Sequence, residues 1–405
     1  MKGEFIMGRS AKLSWIILIV FCVALAAGCS GNNDNPTNAE KLQALVDTNW
    51  SQYKQDHGLP GGGMCVYLET PTGKYFASSG MQAGIDQNAR FRIASNTKTF
   101  TSAAIMLLNQ QEKLHIDDTI VSLIPGQGIP YVPNTAQYNI PYKASITIRQ
   151  LLSHTAGVFD VTNNMIPTTC SEPYAGQGYA DYILATAPNH QFSPDELIGV
   201  DATCQLSHNT PGAKYKYSNQ GYSVLATIIE RVSGMPYDQF VIQNLITPNG
   251  LSSTSVPMLG TDQMIPPPFN PGYHYINGRM LDVTQSNMSV NIAEGNIIST
   301  PVDIARWVKR LIRKEAGPNS ASVDAMMTLT PESLNAYGLG ISYVSGLGYG
   351  HTGAHAGYLS LMVYDPAADV TTIFYFNVWD DANLMGDQVK LLLKAAKDAR
   401  TAVGY

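Results

Sequence analysis

The chain has 405 residues, of which 44% are apolar and 14% are charged, and its formal net charge is −6. This composition is typical of an ordered globular protein, and the length allows either one large domain or two. A nucleic-acid partner is not expected, because phosphate binding needs a basic surface and the sequence shows no cluster of Lys and Arg.

The N-terminal segment is predicted to be an export signal. Basic residues precede an apolar run, 13–27, that is too short to span a bilayer comfortably. The run ends in Leu-Ala-Ala-Gly-Cys, which resembles a bacterial lipobox, so residues 1–29 are predicted to be a lipoprotein signal with Cys29 lipidated. A plain signal peptide and an uncleaved anchor are the alternatives. Ser30 after the cysteine suits the periplasmic face of an outer membrane, with the cell surface as the other placement.

A tether and the first regular elements follow the leader. Residues 30–38 are rich in Gly, Asn and Pro, which predicts a short flexible tether. Apolar residues at helical spacing predict a helix over 39–55. A Pro-Thr-Gly turn joins two predicted strands, 64–69 and 74–77, which makes them an antiparallel pair. A helix over 94–108 has small or apolar residues on almost every face and is expected to be buried centrally.

The middle of the chain, about 120–290, is predicted to be a mostly helical insert. Helices are expected there at 148–153 and 221–233. Later strands are predicted at 337–344, 360–364 and 370–376, and a closing helix is predicted at 384–399. Strands at both ends of the sequence indicate an α/β fold of the α+β type, in which helices flank one antiparallel sheet. The folded domain would span 39–400.

Three cysteines remain after the leader. Cys65 lies in an apolar stretch and is predicted to be a buried small residue rather than a reactive thiol. Cys170 and Cys204 flank one polar, irregular segment of an exported chain. A disulfide between them and a pair of free thiols are both open from the sequence.

The first candidate catalytic element is Ser95-Asn96-Thr97-Lys98. Positions three apart share a face of a helix, so the hydroxyl of Ser95 and the amine of Lys98 can meet. A serine needs an adjacent base to attack a carbonyl, and a lysine can serve if burial lowers its pKa. The spacing alone is weak, because Ser51 and Lys54 repeat it in the first predicted helix.

The second candidate is Tyr217-Ser218-Asn219, before the helix at 221–233. A tyrosine can relay a proton, and the amide of Asn219 can both donate to and accept from a peptide-like substrate. This pattern is also weak, because the Tyr-x-Asn spacing recurs at 275–277 and 375–377.

The third candidate is His351-Thr352-Gly353, in a glycine-rich run. A strand edge bare of bulky side chains lets a substrate backbone lie against it, and His and Thr offer hydrogen-bond donors. A zinc site is not expected, because His351 and His355 lack a Cys or acidic neighbour at ligand spacing and His154 stands alone. No cofactor is implied.

In order, about 120 to 135 residues apart, these elements resemble the S-x-x-K, Y-x-N and H-T-G motifs of the serine β-lactamase and penicillin-binding superfamily. The likeness is strongest to the branch that holds class C β-lactamases, D-alanyl-D-alanine carboxypeptidases of the H-T-G type and related esterases. It runs from about 40 to 400. The supporting segments are 91–95, 148–157, 217–222, 228–231, 299–305 and 350–353.

The resemblance implies a β-lactamase/transpeptidase-like fold and a role for each matching residue. Ser95 would be acylated, Lys98 and Tyr217 would share the proton transfers, and either could be the general base. Asn219 would orient the substrate amide. The backbone N–H groups of Ser95 and Ala354 would form the oxyanion hole.

The departure from many β-lactamases is His351 in place of Lys. A histidine is largely neutral at pH 7 and attracts a substrate carboxylate less than an ammonium does. This favours a D-alanyl-D-alanine carboxypeptidase-like enzyme acting on cell-wall D-amino-acid peptides. An esterase or amidase, a true β-lactamase acting on β-lactams and a non-catalytic peptidoglycan-binding lipoprotein are the alternatives, and the insert at 162–210 is expected to shape specificity.

Overall fold

The computed structural model describes residues 36–333, 337–381 and 386–405. The predicted leader and the predicted lipidation site, Cys29, lie outside these residues, so both stay predictions. No helix among the described residues is long and apolar enough to cross a membrane. Residues 37–405 form one compact unit.

The described residues form ten α-helices and eleven strands. The helices are α1 (Asn38–His57), α2 (Thr97–Gln110), α3 (Ile148–Leu152), α4 (Tyr179–Leu184), α5 (Pro194–Cys204), α6 (Asn219–Ser233), α7 (Tyr237–Val241), α8 (Pro301–Ile312), α9 (Ser320–Met327) and α10 (Gly386–Ala402). The strands are β1 (Met64–Thr70), β2 (Gly73–Ser79), β3 (Phe91–Arg92), β4 (Tyr273–Ile276), β5 (Arg279–Asp282), β6 (Ile298–Ser299), β7 (Ser342–Val344), β8 (Gly348–His355), β9 (Tyr358–Asp365), β10 (Val370–Phe376) and β11 (Val378–Asp380).

The main sheet joins the two ends of the chain. Its six strands lie in the order β2-β1-β10-β9-β8-β7, and every neighbouring pair is antiparallel. The N-terminal hairpin pairs directly with a C-terminal strand, through partners such as Val66 and Phe374. The predicted α+β arrangement, with one antiparallel sheet built from both ends of the sequence, is therefore confirmed.

The sheet separates two cores, and strand alternation assigns each side chain to one of them. Along β1, Met64, Val66 and Leu68 pack with apolar residues of α1 and α10, whereas Cys65 and Tyr67 face the core that contains α2 and α6. Successive residues of a strand point to opposite faces, which is why one short strand contributes to both cores. The helix α2 is buried from Thr97 to Leu108, as expected for the central helix.

One predicted strand is wrong at its beginning. The segment 337–344 forms a strand only over Ser342–Val344, and Tyr337 makes an isolated bridge to Ser342. The chain turns between them, where the N–H of Gly338 donates to the carbonyl of Ile341 and Gly340 has a φ of +75°. This left-handed conformation suits glycine and interrupts an extended strand. The turn folds Tyr337 back opposite Ser342.

The insert contains α3 to α7 and a small hairpin of β4 and β5. Cys170 and Cys204 form a disulfide, with their Cα atoms 5.2 Å apart. The bond ties the irregular segment after α3 to the C-terminal end of α5. Cys65 is a free, buried thiol.

Candidate active site

A short, strained turn presents Ser95 at the start of α2. The α-helix begins at Thr97, three residues later than predicted, because Ala94–Asn96 form a 3-10 turn. Ala94 has a φ of +50°, a left-handed conformation that costs a non-glycine residue roughly 1 kcal/mol. The amide of Asn96 holds the turn by donating to the carbonyl of Ile93 at 2.7 Å and to Ser360 Oγ at 2.9 Å.

Lys98 lies one turn along from Ser95, where its amine is completely buried. Its Nζ is 3.0 Å from Ser95 Oγ and 2.7 Å from Asn219 Oδ1. It is also 2.7 Å from the backbone carbonyl of Glu294 and 3.2 Å from the Oε2 of the same residue. Burial lowers the Lys98 pKa, and the neighbouring Glu294 carboxylate opposes that shift. The spacing of Ser95 and Lys98 thus brings hydroxyl and amine into contact.

Tyr217 and Asn219 reach this pair from the start of α6. Ser218 caps the helix by accepting a hydrogen bond from the N–H of Gly221, and this places Asn219 in the first turn. Ser95 lies close enough to the Tyr217 hydroxyl to lower the Tyr217 pKa, against the larger opposite effect of burial. Lys98 Nζ lies 5.0 Å from the centre of the Tyr217 ring. Burial raises the pKa of Tyr217 well above its ordinary value, so this phenol is neutral in the resting site.

Asp160 fixes the orientation of Asn219. Its buried carboxylate accepts from the N–H of Asn219 at 3.0 Å and from Thr162 Oγ1 at 2.8 Å. Thr162 Oγ1 accepts in turn from Asn219 Nδ2 at 3.0 Å, so the amide oxygen of Asn219 points at Lys98. The network therefore determines which end of the amide faces the amine.

The outer end of β8 lies against the Ser95 turn. Strand β7 pairs with β8 only over Gly348–Gly350, so the following residues have no strand partner on that side among the residues that the structure describes. Thr352 and Ala354 are exposed there, whereas Gly353 packs against the Ile93 carbonyl and Asn96. The predicted glycine-lined strand edge is thus beside the candidate nucleophile.

His351 points away from that edge, into a buried chain of hydrogen bonds. The N–H of Ser218 donates to His154 Nδ1 at 3.2 Å, so His154 carries its proton on Nε2, 3.2 Å from the Tyr337 hydroxyl. Tyr337 donates in turn to His351 Nε2 at 3.0 Å, and His351 Nδ1–H donates to the Thr352 carbonyl. Each imidazole is neutral in this pattern, with one nitrogen donating and the other accepting.

Burial lowers the pKa of His351 to about 3, and the charge of Lys98 acts in the same direction. The unfolded chain takes up a proton at this residue below pH 6.5, whereas the native protein does not, so stability is lost as the pH falls from 6.5 towards 3. Between pH 6.5 and 5 this loss is about 2 kcal/mol, from 1.36 kcal/mol per pH unit.

We expect His351→Gln to remove that part of the pH dependence. Urea unfolding of both proteins at pH 6.5 and pH 5 gives the change in the free energy of unfolding between the two pH values. The variant must be compared with the native protein, because burial also lowers the pKa values of His154 and His355. An equal change in the two proteins would contradict the buried, neutral state of His351.

Four residues of this site were missed by sequence motifs. They are Asp160, Glu294, His154 and Tyr337, all buried. Asp160 and Glu294 are single acidic residues in apolar stretches. Acidic residues are seldom buried without a partner, so their position among apolar residues could have marked them as candidates for the site. Among the described residues, no group of three or more His, Cys, Asp or Glu side chains is placed to hold a metal ion.

The arrangement can perform acyl transfer. A half-buried serine hydroxyl contacts an amine, and a buried phenol lies beside that amine; both groups are able to accept, hold or relay a proton. The start of α2 and the free edge of β8 meet at this hydroxyl, so backbone N–H groups are available for a developing oxyanion.

Known proteins share this sequence pattern and fold. The chain matches the beta-lactamase family over residues 46–397. It is 26% identical to PbpX of Bacillus subtilis, a protein named for penicillin binding, over 351 residues that cover 85% of this chain and 78% of the relative.

Solved structures show the same similarity. A D-stereospecific amidohydrolase from Streptomyces sp. superposes with a TM-score of 0.68 and 26% identity, over 85% of this chain and 95% of the other. The D-amino acid amidase from Ochrobactrum anthropi complexed with D-phenylalanine has a TM-score of 0.69 and 21% identity, over 90% and 99% of the two chains. At that identity the amidase shares the fold alone.

Proposed function

The chain belongs to the beta-lactamase family of serine hydrolases, and we propose that it cleaves amide bonds beside D-amino acids, in peptides or in simple amides, through an acyl-enzyme on Ser95. The observation that carries this proposal is the contact of Ser95 Oγ with Lys98 Nζ at 3.0 Å, with the buried Tyr217 ring 5.0 Å from the same amine. A serine becomes a nucleophile when adjacent groups take its proton and stabilise the resulting charge.

The surrounding groups supply the other functions that acyl transfer needs. The substrate carbonyl would lie between the N–H groups of Ser95 and Ala354, which would bind the oxyanion. In hydrolases generally, the loss of one such donor costs about a hundred- to a thousandfold in rate. Asn219, held by Asp160, would face the amide of the substrate, and the free edge of β8 would carry the substrate backbone.

The first candidate substrate is a cell-wall peptide ending in D-Ala-D-Ala. The sequence resemblance to H-T-G carboxypeptidases and the similarity to a protein named for penicillin binding support it. A carboxypeptidase of this kind would be exported and held at a membrane by the lipid on Cys29, which would place it beside its substrate.

The second candidate is an amidohydrolase acting on D-amino-acid amides. Two observations favour it over a carboxypeptidase. His351 is neutral and directs its Nε2 towards Tyr337, so it offers no positive charge to a substrate carboxylate. The Streptomyces neighbour at 26% identity is named as a D-stereospecific amidohydrolase. An amide substrate has no terminal carboxylate to neutralise.

Initial rates on four substrates test the proposal. These are an N-acylated peptide ending in D-Ala-D-Ala, a D-amino-acid amide, a p-nitrophenyl ester and benzylpenicillin, with the L-stereoisomers of the first two as controls. We expect amide cleavage that is at least about tenfold faster for D than for L, which corresponds to 1.4 kcal/mol of discrimination.

The outcomes separate the candidates. Turnover of the D-Ala-D-Ala peptide supports the carboxypeptidase, and turnover of the D-amide without the peptide supports the amidohydrolase. Activity on the ester alone, fast hydrolysis of benzylpenicillin alone, or binding without any turnover would each contradict the proposal and favour the esterase, the β-lactamase or the binding lipoprotein respectively.

A further inference from the structure

Glu294 is the acidic residue in contact with the candidate catalytic lysine, and no sequence motif assigns it a role. Its side chain is 3% exposed. Its Oε2 lies 3.2 Å from Lys98 Nζ, and its Oε1 accepts a hydrogen bond from Asn291 Nδ2. Both carboxylate oxygens are therefore engaged inside the protein.

The segment that carries Glu294 is fixed to α2, the helix that carries Lys98. Thr101 Oγ1 donates to the carbonyl of Ala293 at 2.6 Å, and the N–H of Ile297 donates to Thr97 Oγ1 at 3.2 Å. These contacts hold the segment on both sides of Glu294. The distance between its carboxylate and the Lys98 amine is thus set by the backbone and not only by a side-chain rotamer.

The partners of Lys98 show which protonation state the site can accommodate. Asn219 Oδ1 and the Glu294 carbonyl can only accept hydrogen bonds, and so can an ionised Glu294 carboxylate. With Ser95 Oγ at 3.0 Å, Lys98 Nζ has four neighbouring acceptors for the three N–H bonds of an ammonium. An ammonium at this place has no lone pair for the proton of Ser95.

We propose that Glu294 is a positioning residue that keeps Lys98 an ammonium in the resting enzyme, so that the Ser95 proton passes to Tyr217 instead of to Lys98. This inference rests on the proposed acyl-enzyme function. As the bond from Ser95 Oγ to the carbonyl carbon forms, the Ser95 proton moves to the Tyr217 oxygen and the proton already on Tyr217 moves to the substrate nitrogen in the same step. The C–N bond then breaks and the amine leaves with that proton, so Tyr217 stays neutral throughout.

Other groups around Lys98 bear on its charge. Besides Ser95 and Asn219, those that face it are Glu294, Asp160, Tyr217, Tyr222, His154 and His351. Burial lowers the Lys98 pKa, and the Glu294 carboxylate and then Asp160 raise it. Burial likewise raises the Glu294 pKa, whereas the charge of Lys98 and the hydrogen bond from Asn291 lower it and favour the carboxylate. The two histidines and the tyrosines have pKa values that keep them neutral. Glu294 is therefore the residue whose neutralisation changes the field at Lys98 most.

The test is the pH profile of Ser95 labelling by a fluorophosphonate probe, for the native protein and for Glu294→Gln. Glutamine keeps the side-chain volume and removes the charge. If Lys98 acts as an ammonium, its deprotonation defines the alkaline limb of the profile. We expect that limb to move to lower pH by about one to three units in Glu294→Gln, the range for loss of an adjacent opposite charge.

Two control variants make the comparison specific. Glu294→Asp keeps the charge and should keep the alkaline limb within about half a unit of its native position, since one pH unit is the smallest effect expected from loss of the charge. Glu230→Gln removes a carboxylate that accepts from the N–H of Tyr237 at the far end of α6, and it should leave the profile in place.

Two results would overturn the inference. A shift of the acid limb in Glu294→Gln, with the alkaline limb unmoved, would mean that neutral Lys98 is the base. A uniform loss of rate at every pH, with no limb displaced, would mean that Glu294 only supports the fold.

A second measurement does not depend on catalysis. In protein labelled with carbon-13 at the lysine ε-carbon, the Lys98 resonance is assigned by its absence in Lys98→Arg and then followed from pH 6 to 11. In Glu294→Gln we expect the midpoint of the Lys98 titration to move to lower pH by the same interval as the alkaline limb. This result would stand even if the protein turned over none of the candidate substrates, whereas an unshifted titration would overturn the role of Glu294 alone.

Discussion

Ser95→Ala is expected to abolish covalent labelling and to lower turnover by about a millionfold, because loss of the serine nucleophile in a well-studied hydrolase has about that effect on kcat. The fold should survive the change. Ser95 is half-buried, and Lys98 keeps three other acceptors when the hydroxyl is lost. Intact-protein mass spectrometry after reaction with benzylpenicillin or a fluorophosphonate measures the adduct, and circular dichroism confirms folding.

A matched control is available in the same chain. Ser51 and Lys54 have the same spacing on α1, where both side chains are exposed. The Ser51→Ala protein should therefore be labelled by the probe, and should turn over substrate, at the rates of the native protein. An adduct that persists in Ser95→Ala, or one that disappears in Ser51→Ala, would remove Ser95 from the role of nucleophile.

Gly353→Ala is expected to reduce acylation of Ser95 by at least about a hundredfold and to lower the free energy of unfolding by about 1–3 kcal/mol, the usual cost of overpacking. A Cβ at this position would lie 2.6 Å from Ser360 Oγ and 2.7 Å from Asn96 Nδ2, and it would also overlap the Ile93 carbonyl. Those groups hold the turn that presents Ser95, so the added methyl group must displace either β8 or the turn.

Separate measurements distinguish the two effects of this substitution. Urea unfolding gives the loss of stability, and the labelling rate at a temperature where the variant is fully folded gives the loss of alignment. Gly386→Ala, at the start of α10, adds a methyl group that has no atom of the described residues within 4 Å, and it should change neither. A folded Gly353→Ala protein that labels at the native rate would show that β8 does not align the nucleophile.

Short-range features of both fold and site could be predicted from the sequence. Alternating side chains along β1 and the tight turn before β2 depend on a few consecutive residues, and the hairpin was predicted within one or two residues of its observed ends. The contact of Ser95 with Lys98 also follows from spacing within one turn. The family resemblance added the pairing of distant motifs.

The errors arose where distant residues decide the local conformation. A helix was predicted from residue 94, but Asn96 bonds to Ser360, some 260 residues away in sequence, and the chain forms a 3-10 turn there. The strand predicted from residue 337 is interrupted by Gly340, whose position is packed against Ser102 of α2. Neither partner can be identified from the local pattern.

The sequence by itself determined which residue types could carry acyl transfer and the order in which they occur, because motif spacing and side-chain chemistry are local properties. Only the tertiary structure decided their charges. Lys98, His351 and Tyr217 have altered pKa values because packing removes water from them, and burial is set by the whole fold. The same packing brings Glu294, 196 residues from Lys98 in sequence, to its amine.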